Sequence, residues 1–267
     1  MNTIDPAAIE ARLDRATKTL SEERRRVTDE LDALQAFTDH VKNSKPEQAQ
    51  PATVAPAVNL SVSKSNETLE TVRAAYESTF MSTPHYDEDY DEPYVQSLAV
   101  EFGPEIAAAL VGGEQFTQAC KEGLLDAVEE AVTRRELLVD ALADEESSLS
   151  EAQSVLLPLS QELAEIRRSS RANRQMGILD AHDARLTVLA EKCDRLLERR
   201  QATIVEQRRT LTLPIDELDL PSYVYTDVER EKRYPVLGTL AECIQMLDEL
   251  QNDVQAALEQ QGQSTPS

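Results

Sequence analysis

Along the first forty or so residues, leucine and valine return every seventh position: Leu13, Leu20, Val27, Leu34 and Val41. Ile9, Ala16, Leu31 and Phe37 fill the positions between them, and Glu23 is an exception. A seven-residue repeat keeps one apolar seam turned to a partner along a slightly supercoiled helix, so this stretch predicts one long seamed helix. Asp5 followed by Pro6 reads as its N-cap and first helical residue, because proline lacks the N–H that would be orphaned there. The repeat stops near Asn43. Residues 43–64 carry Pro46, Pro51 and Pro56 among small and polar residues, which predicts a linker.

A stronger seam starts at Leu124. Steps of four and three residues lead through Val128, Ala131, Arg135, Leu138, Leu142, Glu145, Leu149, Ala152, Leu156, Leu159, Leu163 and Ile166, and eleven of the thirteen positions are apolar. Pro158 lies off the seam, so the expectation is a kinked but continuous helix. The polar stretch Arg167 to Gln175 breaks the pattern. A second seam returns through Leu179, His182, Leu186, Leu189, Cys193 and Leu196, then drifts to Leu197, Ile204 and Leu211. Two seamed helices joined by a short polar loop predict an antiparallel hairpin.

The flanking regions are more broken. Helices are expected over Asn66–Phe80, Tyr94–Phe102 and Pro104–Val111, with Gly103, Gly112 and Gly113 where left-handed C-caps belong. Beyond the hairpin, Pro214 to Thr226 reads as irregular. A last helix opens at Pro235 and carries Leu237, Leu240, Ile244, Leu247, Val254 and Leu258, and the tail after Gln260 frays. Ten of the eleven aromatics fall in two segments, Tyr76 to Phe116 and Tyr223 to Tyr234. An antiparallel hairpin would bring those segments to the same end, so one aromatic head is expected.

The fold class is therefore all-α: an elongated antiparallel helical hairpin or coiled-coil bundle with a small aromatic-rich head. Its expected parts are a seamed helix over 1–42, a linker over 43–64, a head segment over 65–116 and the hairpin over 117–212. An irregular segment and C-terminal helix over 213–260 pack on head and hairpin, and the tail is 261–267.

Charge changes the picture. With 27 basic and 50 acidic residues the net charge is −23, and arginine outnumbers lysine. Self-repulsion on this scale opposes compaction, and halophiles use that lever. At molar salt the Debye length is about 3 Å, so the repulsion is screened. A salt-rich cytoplasm is the expected milieu. Met1 to Glu10 has neither a positive run nor an apolar core and does not read as a signal peptide. The longest apolar run, Ile106 to Val111, is far too short to cross a membrane. Cys120, Cys193 and Cys243 are odd in number and widely spaced, which disfavours a disulfide framework or a zinc site and favours small buried hydrophobes.

Several stretches resemble an uncharacterised family of haloarchaeal proteins: Thr71-Val-Arg-Ala-Ala-Tyr76, Pro84-His-Tyr-Asp-Glu-Asp-Tyr90, Glu101-Phe-Gly-Pro-Glu-Ile-Ala-Ala-Ala-Leu110, and Tyr223-Val-Tyr225 followed by Tyr234-Pro-Val-Leu237. The likeness spans Glu67 to about Leu250. It implies a haloarchaeal cytoplasmic origin and a mainly helical fold, and it implies no activity.

Candidate chemistry is sparse. His85, Asp87, Glu88, Asp89, Asp91 and Glu92 offer oxygen ligands, but the alternation and turn glycine of a calcium loop are missing, and a solvated acidic surface with inward tyrosines is the favoured reading. His182 falls on the seam. With three histidines, no phosphate-binding glycine loop and no nucleophile elbow, no catalytic residue, cofactor or metal is expected, and the chain does not read as an enzyme. Residues 160–212 hold 11 cations against 8 acids, a net of +3, which leaves −26 on the rest. Arg167, Arg168, Arg171 and Arg174 run without an intervening acid at the expected hairpin tip. They are the candidate contact for an anionic partner, against the plainer expectation that they pair with acids of neighbouring helices. Nucleic acid is disfavoured, since its counterion-release term fades at high salt. The leading expectation is a helical interaction or scaffold protein, with seams closing within the chain or in a homodimer. The other is a regulatory module that recognises an anionic partner, nucleic acid still among the candidates, through the arginine tip.

Overall fold

A computed structural model describes residues 5–47, 67–172, 174–211, 219–226 and 233–263. Among them there is no strand, and the fold is all-α. In order the elements are α1 (Pro6–Asn43), α2 (Glu67–Ser78), a 3₁₀ turn (Phe80–Ser82), α3 (Tyr86–Asp89), α4 (Tyr94–Phe102) and α5 (Pro104–Gly112). Then come α6 (Gln118–Ala172), α7 (Met176–Thr210), α8 (Leu220–Val224) and α9 (Pro235–Gln263). The chain divides into two compact units, residues 24–140 and residues 1–23 with 141–267, so α1 and α6 each contribute to both. The linker expected over 43–64 and the tail expected over 261–267 lie largely outside the described residues.

Helix α1 begins as its sequence dictates: Asp5 Oδ1 accepts from the N–H of Ala7 at 3.1 Å, and Pro6 opens the helix. Leu13, Leu20, Val27, Leu34 and Val41 are all buried. A leucine taken out of water contributes about 1.5–3 kcal/mol, so the seam rather than helix propensity holds α1 in place. Helix α6 runs through Pro158 without a break. The proline is exposed, and its loss of one backbone hydrogen bond falls off the packed face.

In the 24–140 unit the core joins α1 to the short helices. Phe37, Tyr76, Phe80, Tyr86, Tyr90, Tyr94 and Phe102 interlock with ring centroids 5.4–6.1 Å apart. Leu124, Val128 and Ala131 of α6 complete it. Long cations close two helix C-termini here. Lys121 Nζ reaches the carbonyls of Lys42 (2.6 Å) and Ser44 (2.7 Å), and Arg73 donates to the carbonyls of Leu110 and Val111. Gly103 is left-handed at φ 88°, as a helix junction requires. Gly113 is not left-handed, at φ −69°. Glycine is needed there because an added Cβ would sit 2.3 Å from the carbonyl oxygen of Ala109.

In the other unit α6 and α7 form the antiparallel hairpin: Arg185 pairs with Glu162, Arg199 with Glu151 and Arg200 with Glu145. Helix α9 packs on α7 and presents Leu240, Cys243, Leu247, Leu250, Val254 and Ala257. That seam corrects the expected one at alternate positions, because Ile244 and Leu258 are only half-buried. In α1 the same step falls differently as well: Glu30 is buried at 7 % exposure, whereas Leu31 is half-buried.

Tyr76 and Phe80 belong to the 24–140 unit, while Tyr223, Tyr225 and Tyr234 belong to the other. Helix α7 has 35 residues against 55 in α6, and near its end Gln207 donates to Glu145.

Candidate functional site

The arginine run sits differently from the sequence expectation. Helix α6 extends to Ala172 and α7 starts at Met176, so Arg167, Arg168 and Arg171 lie on the last turns of a helix, not in a loop. Cations in that position favour the negative end of the helix dipole. Arg167 is half-buried and turns to α9, with Nη1 3.4 Å from Met246 Sδ. Arg168 folds back on its own helix, Nε to the Ala164 carbonyl at 3.4 Å. Arg171 and Arg174 are exposed, and the Arg174 carbonyl accepts from the Gln261 side chain. The four do not converge on one point. His182, on the seam as expected, bonds Ser169 Oγ at 3.1 Å and ties the two helices near the turn.

The acidic segment has its tyrosines turned inward. Tyr86 is buried and Tyr90 half-buried, while Asp87, Glu88, Asp89 and Asp91 are exposed. Arg26 bonds both Glu88 and Asp89, so a cation from α1 already answers two of the acids. Among the described residues no group of three or more His, Cys, Asp or Glu is placed to hold a metal ion. Cys193 and Cys243 are buried free thiols; burial, then Asp194, pushes Cys193 up to about 11, and burial, then Cys193, pushes Cys243 up to about 12. Thiols so hard to ionise are poor nucleophiles. Cys120 is half-buried, and burial raises it too.

The chemistry that the fold does concentrate lies at the charged exceptions of the seams. Arg135 and Glu145 are the two seam positions of α6 that are not apolar, and each anchors a buried ionic cluster in a different unit. Around Arg135, Nη1 and Nη2 fork onto Glu101 at 2.5 and 2.7 Å, while Nε donates to Glu30 at 3.1 Å. Glu30 also accepts from Tyr90 Oη at 2.8 Å and lies 3.3 Å from His85 Nε2. The guanidinium stands 5.7 Å over the Phe80 ring. Burial opposes the charge on Arg135, but Glu101 and Glu30 outweigh it and hold its pKa above the ordinary value.

Around Glu145, Arg200 donates from Nη1 and Nη2 at 2.7 and 2.6 Å, Gln207 from Nε2 at 3.3 Å and Tyr225 from Oη at 3.0 Å. Arg200 Nη1 also reaches Ser148 Oγ at 3.0 Å. Residue exposures of 2 % for Arg200 and 0 % for Glu145 make this a water-excluded pair. Burial, then Glu145, raises the Tyr225 phenol, so it stays a donor at any ordinary pH. Arg200 escapes the sequence pattern because the apolar drift to Leu197 hides that Leu196, Arg200, Ile204 and Gln207 continue the seam. Nearby, Asp219 caps α8 through the N–H of Ser222 (2.9 Å) and takes Arg208 Nε (3.1 Å) and Tyr234 Oη (2.7 Å). Burial opposes its charge, yet these donors hold its carboxyl below the usual range. The exception in α1, Glu23, accepts from Tyr223 Oη.

These clusters are matched ion pairs, and each joins one helix to another. The family model named Domain of unknown function (DUF7260) matches residues 11–266, and the chain belongs to that family. No curated protein and no solved structure matches the chain. No helix among the described residues is long and apolar enough to cross a membrane.

Proposed function

We propose that this chain is a non-enzymatic helical scaffold of a haloarchaeal cytoplasm, built on coiled-coil seams that close within one chain and leave the outward faces to protein partners. The observation that carries this reading is the treatment of the seam exceptions. Glu23, Glu30, Arg135, Glu145 and Arg200 are each answered by a partner from another element of the same unit. A charged residue on an apolar seam is destabilising unless its partner is in register, so such residues select one arrangement of helices over others. Seams satisfied in this way have little left to offer a homodimer, and a second copy would meet an outer face.

The net charge of −23 supports the halophilic setting. Affinity capture in near-molar KCl followed by mass spectrometry tests the scaffold reading: protein partners that survive Arg167, Arg168, Arg171 and Arg174 all replaced by glutamine support it. Loss of partners with unchanged melting in that variant favours the second reading, an anion-recognising tip. The exposure of Arg168, Arg171 and Arg174 is the observation behind that alternative.

A further inference from the structure

Helices α6 and α7 pack closely through their seam but part along one outer edge around Pro158, where a cavity of about 320 Å³ opens. Every residue lining it comes from these two helices. Its apolar wall is Val155, Pro158 and Leu159 of α6 with Leu189 and Leu196 of α7. Two ion pairs cross between the helices at its ends, Arg185 with Glu162 and Arg199 with Glu151. Between them on α7 lie Lys192 and Arg195, both exposed, and the facing stretch of α6 brings no acid to meet them. Lys192 makes no hydrogen bond or ion pair among the described residues, though its charge helps Arg185 to lower the Glu162 carboxyl. Arg195 has only Glu191 of its own helix, 3.7 Å away and exposed, a pair worth little in water. The lining thus holds four cations against two acids, +2, in a chain whose net charge is −23.

We infer that this trough is a binding site for a small amphipathic organic anion. The anionic head, a phosphate or carboxylate, meets Lys192 and Arg195, and the short apolar body lies against Val155 and Pro158. Three observations converge on this class. The volume falls in the range of small-ligand pockets, roughly 300–1,000 Å³. The crossing ion pairs stand 14 residues apart on α7 (199 minus 185), about 21 Å at 1.5 Å per residue, and they obstruct a helix laid along the groove. A polyanion would find only two cations not already engaged across the groove, which disfavours nucleic acid. An apolar wall beside two exposed cations that form no ion pair across the groove suits a ligand with both characters.

Isothermal titration calorimetry with monomeric octyl phosphate tests the site, at the lowest salt that keeps full helicity. Saturable binding with one site per chain is expected. Lys192→Gln with Arg195→Gln should weaken it about tenfold or more with unchanged melting, as loss of two charged donors implies. Val155→Trp should fill the trough and abolish binding; if that variant folds poorly, the double glutamine variant, on exposed positions, still decides. Inorganic phosphate and octyl glucoside, each offering half of the chemistry, should bind far more weakly. The inference is overturned by the absence of saturable binding, by equal affinity in the double variant, or by octyl glucoside binding as tightly. Attachment to anionic vesicles without binding of monomeric octyl phosphate would overturn it as well.

Discussion

Arg135 and Arg200 are both arginines on buried helix seams, yet the two sites are built on opposite terms. Arg200 meets one carboxylate, Glu145, in a site without solvent, and the remaining donors, Gln207 and Tyr225, are neutral. Arg135 meets two carboxylates, Glu30 and Glu101, at a side-chain exposure of 14 %, and each carboxylate has a second partner. Glu30 keeps Tyr90 and His85, and Glu101 keeps Arg134 at 3.6 Å. A sealed one-to-one pair fails completely when either member goes. A shared cluster at the edge of water fails by degrees.

The largest effect is therefore expected at the sealed pair. Arg200→Met should destabilise the chain by about 3–5 kcal/mol in urea unfolding, because Glu145 is left charged and buried. Adding Glu145→Leu should recover most of that loss. Recovery stops short of complete because Gln207 Nε2 and Tyr225 Oη lose Glu145 as acceptor, although the unpartnered Arg200 Nε is removed as well.

Arg135→Met should be milder, about 2–3 kcal/mol, since the second partners of Glu30 and Glu101 remain. A loss at Arg135 larger than that at Arg200 would invert the comparison.

Acidification separates the paired carboxylates from the cores. Asp219 and Glu162 are held below their ordinary values in the folded state. Their contribution is present above the unfolded carboxyl range, near pH ~4, and is lost as pH falls through the depressed folded values. At the alkaline end Cys193 and Cys243 are raised to about 11 and 12. Their contribution is intact below the ordinary thiol value near ~8.5 and declines as pH rises toward the folded values. Melting temperature against pH should fall on both flanks. The smallest effect is expected at the edge: Tyr223→Phe, which removes the bond to Glu23, should lower stability by about 1 kcal/mol or less.

Much of this fold is legible in the amino-acid order, because heptad spacing is a direct image of burial. The Asp5–Pro6 start of α1, the passage of α6 through Pro158, the bounds of α4 and the opening of α9 at Pro235 all follow from it. What misleads is the choice between steps of three and four, since both return to the same face. Leu31 is more apolar than Glu30, and Ile244 more apolar than Cys243, yet Glu30 and Cys243 are the buried members. Glu30 is drawn inward by Arg135, more than a hundred residues away in the chain, and no local pattern carries that information. Arg200 is hidden for the same reason. The ion-pair sites announce themselves only as interruptions, at Glu23, Arg135 and Glu145, and their partners require the third dimension. The trough beside Pro158 is legible only as a proline off the seam; its cations are spaced along α7 like any solvated face.

The central claim, that charged seam residues are register keys, meets its most direct test in a double-mutant cycle at Arg200 and Glu145. Urea unfolding in molar KCl would compare the parent, Arg200→Met, Glu145→Leu and the pair together. The account predicts that each single variant costs about 3–5 kcal/mol, that the double variant stays within about 2 kcal/mol of the parent, and that the coupling energy is therefore about 5 kcal/mol or more. A coupling within about 0.5 kcal/mol of zero, with the two losses simply adding, would contradict it.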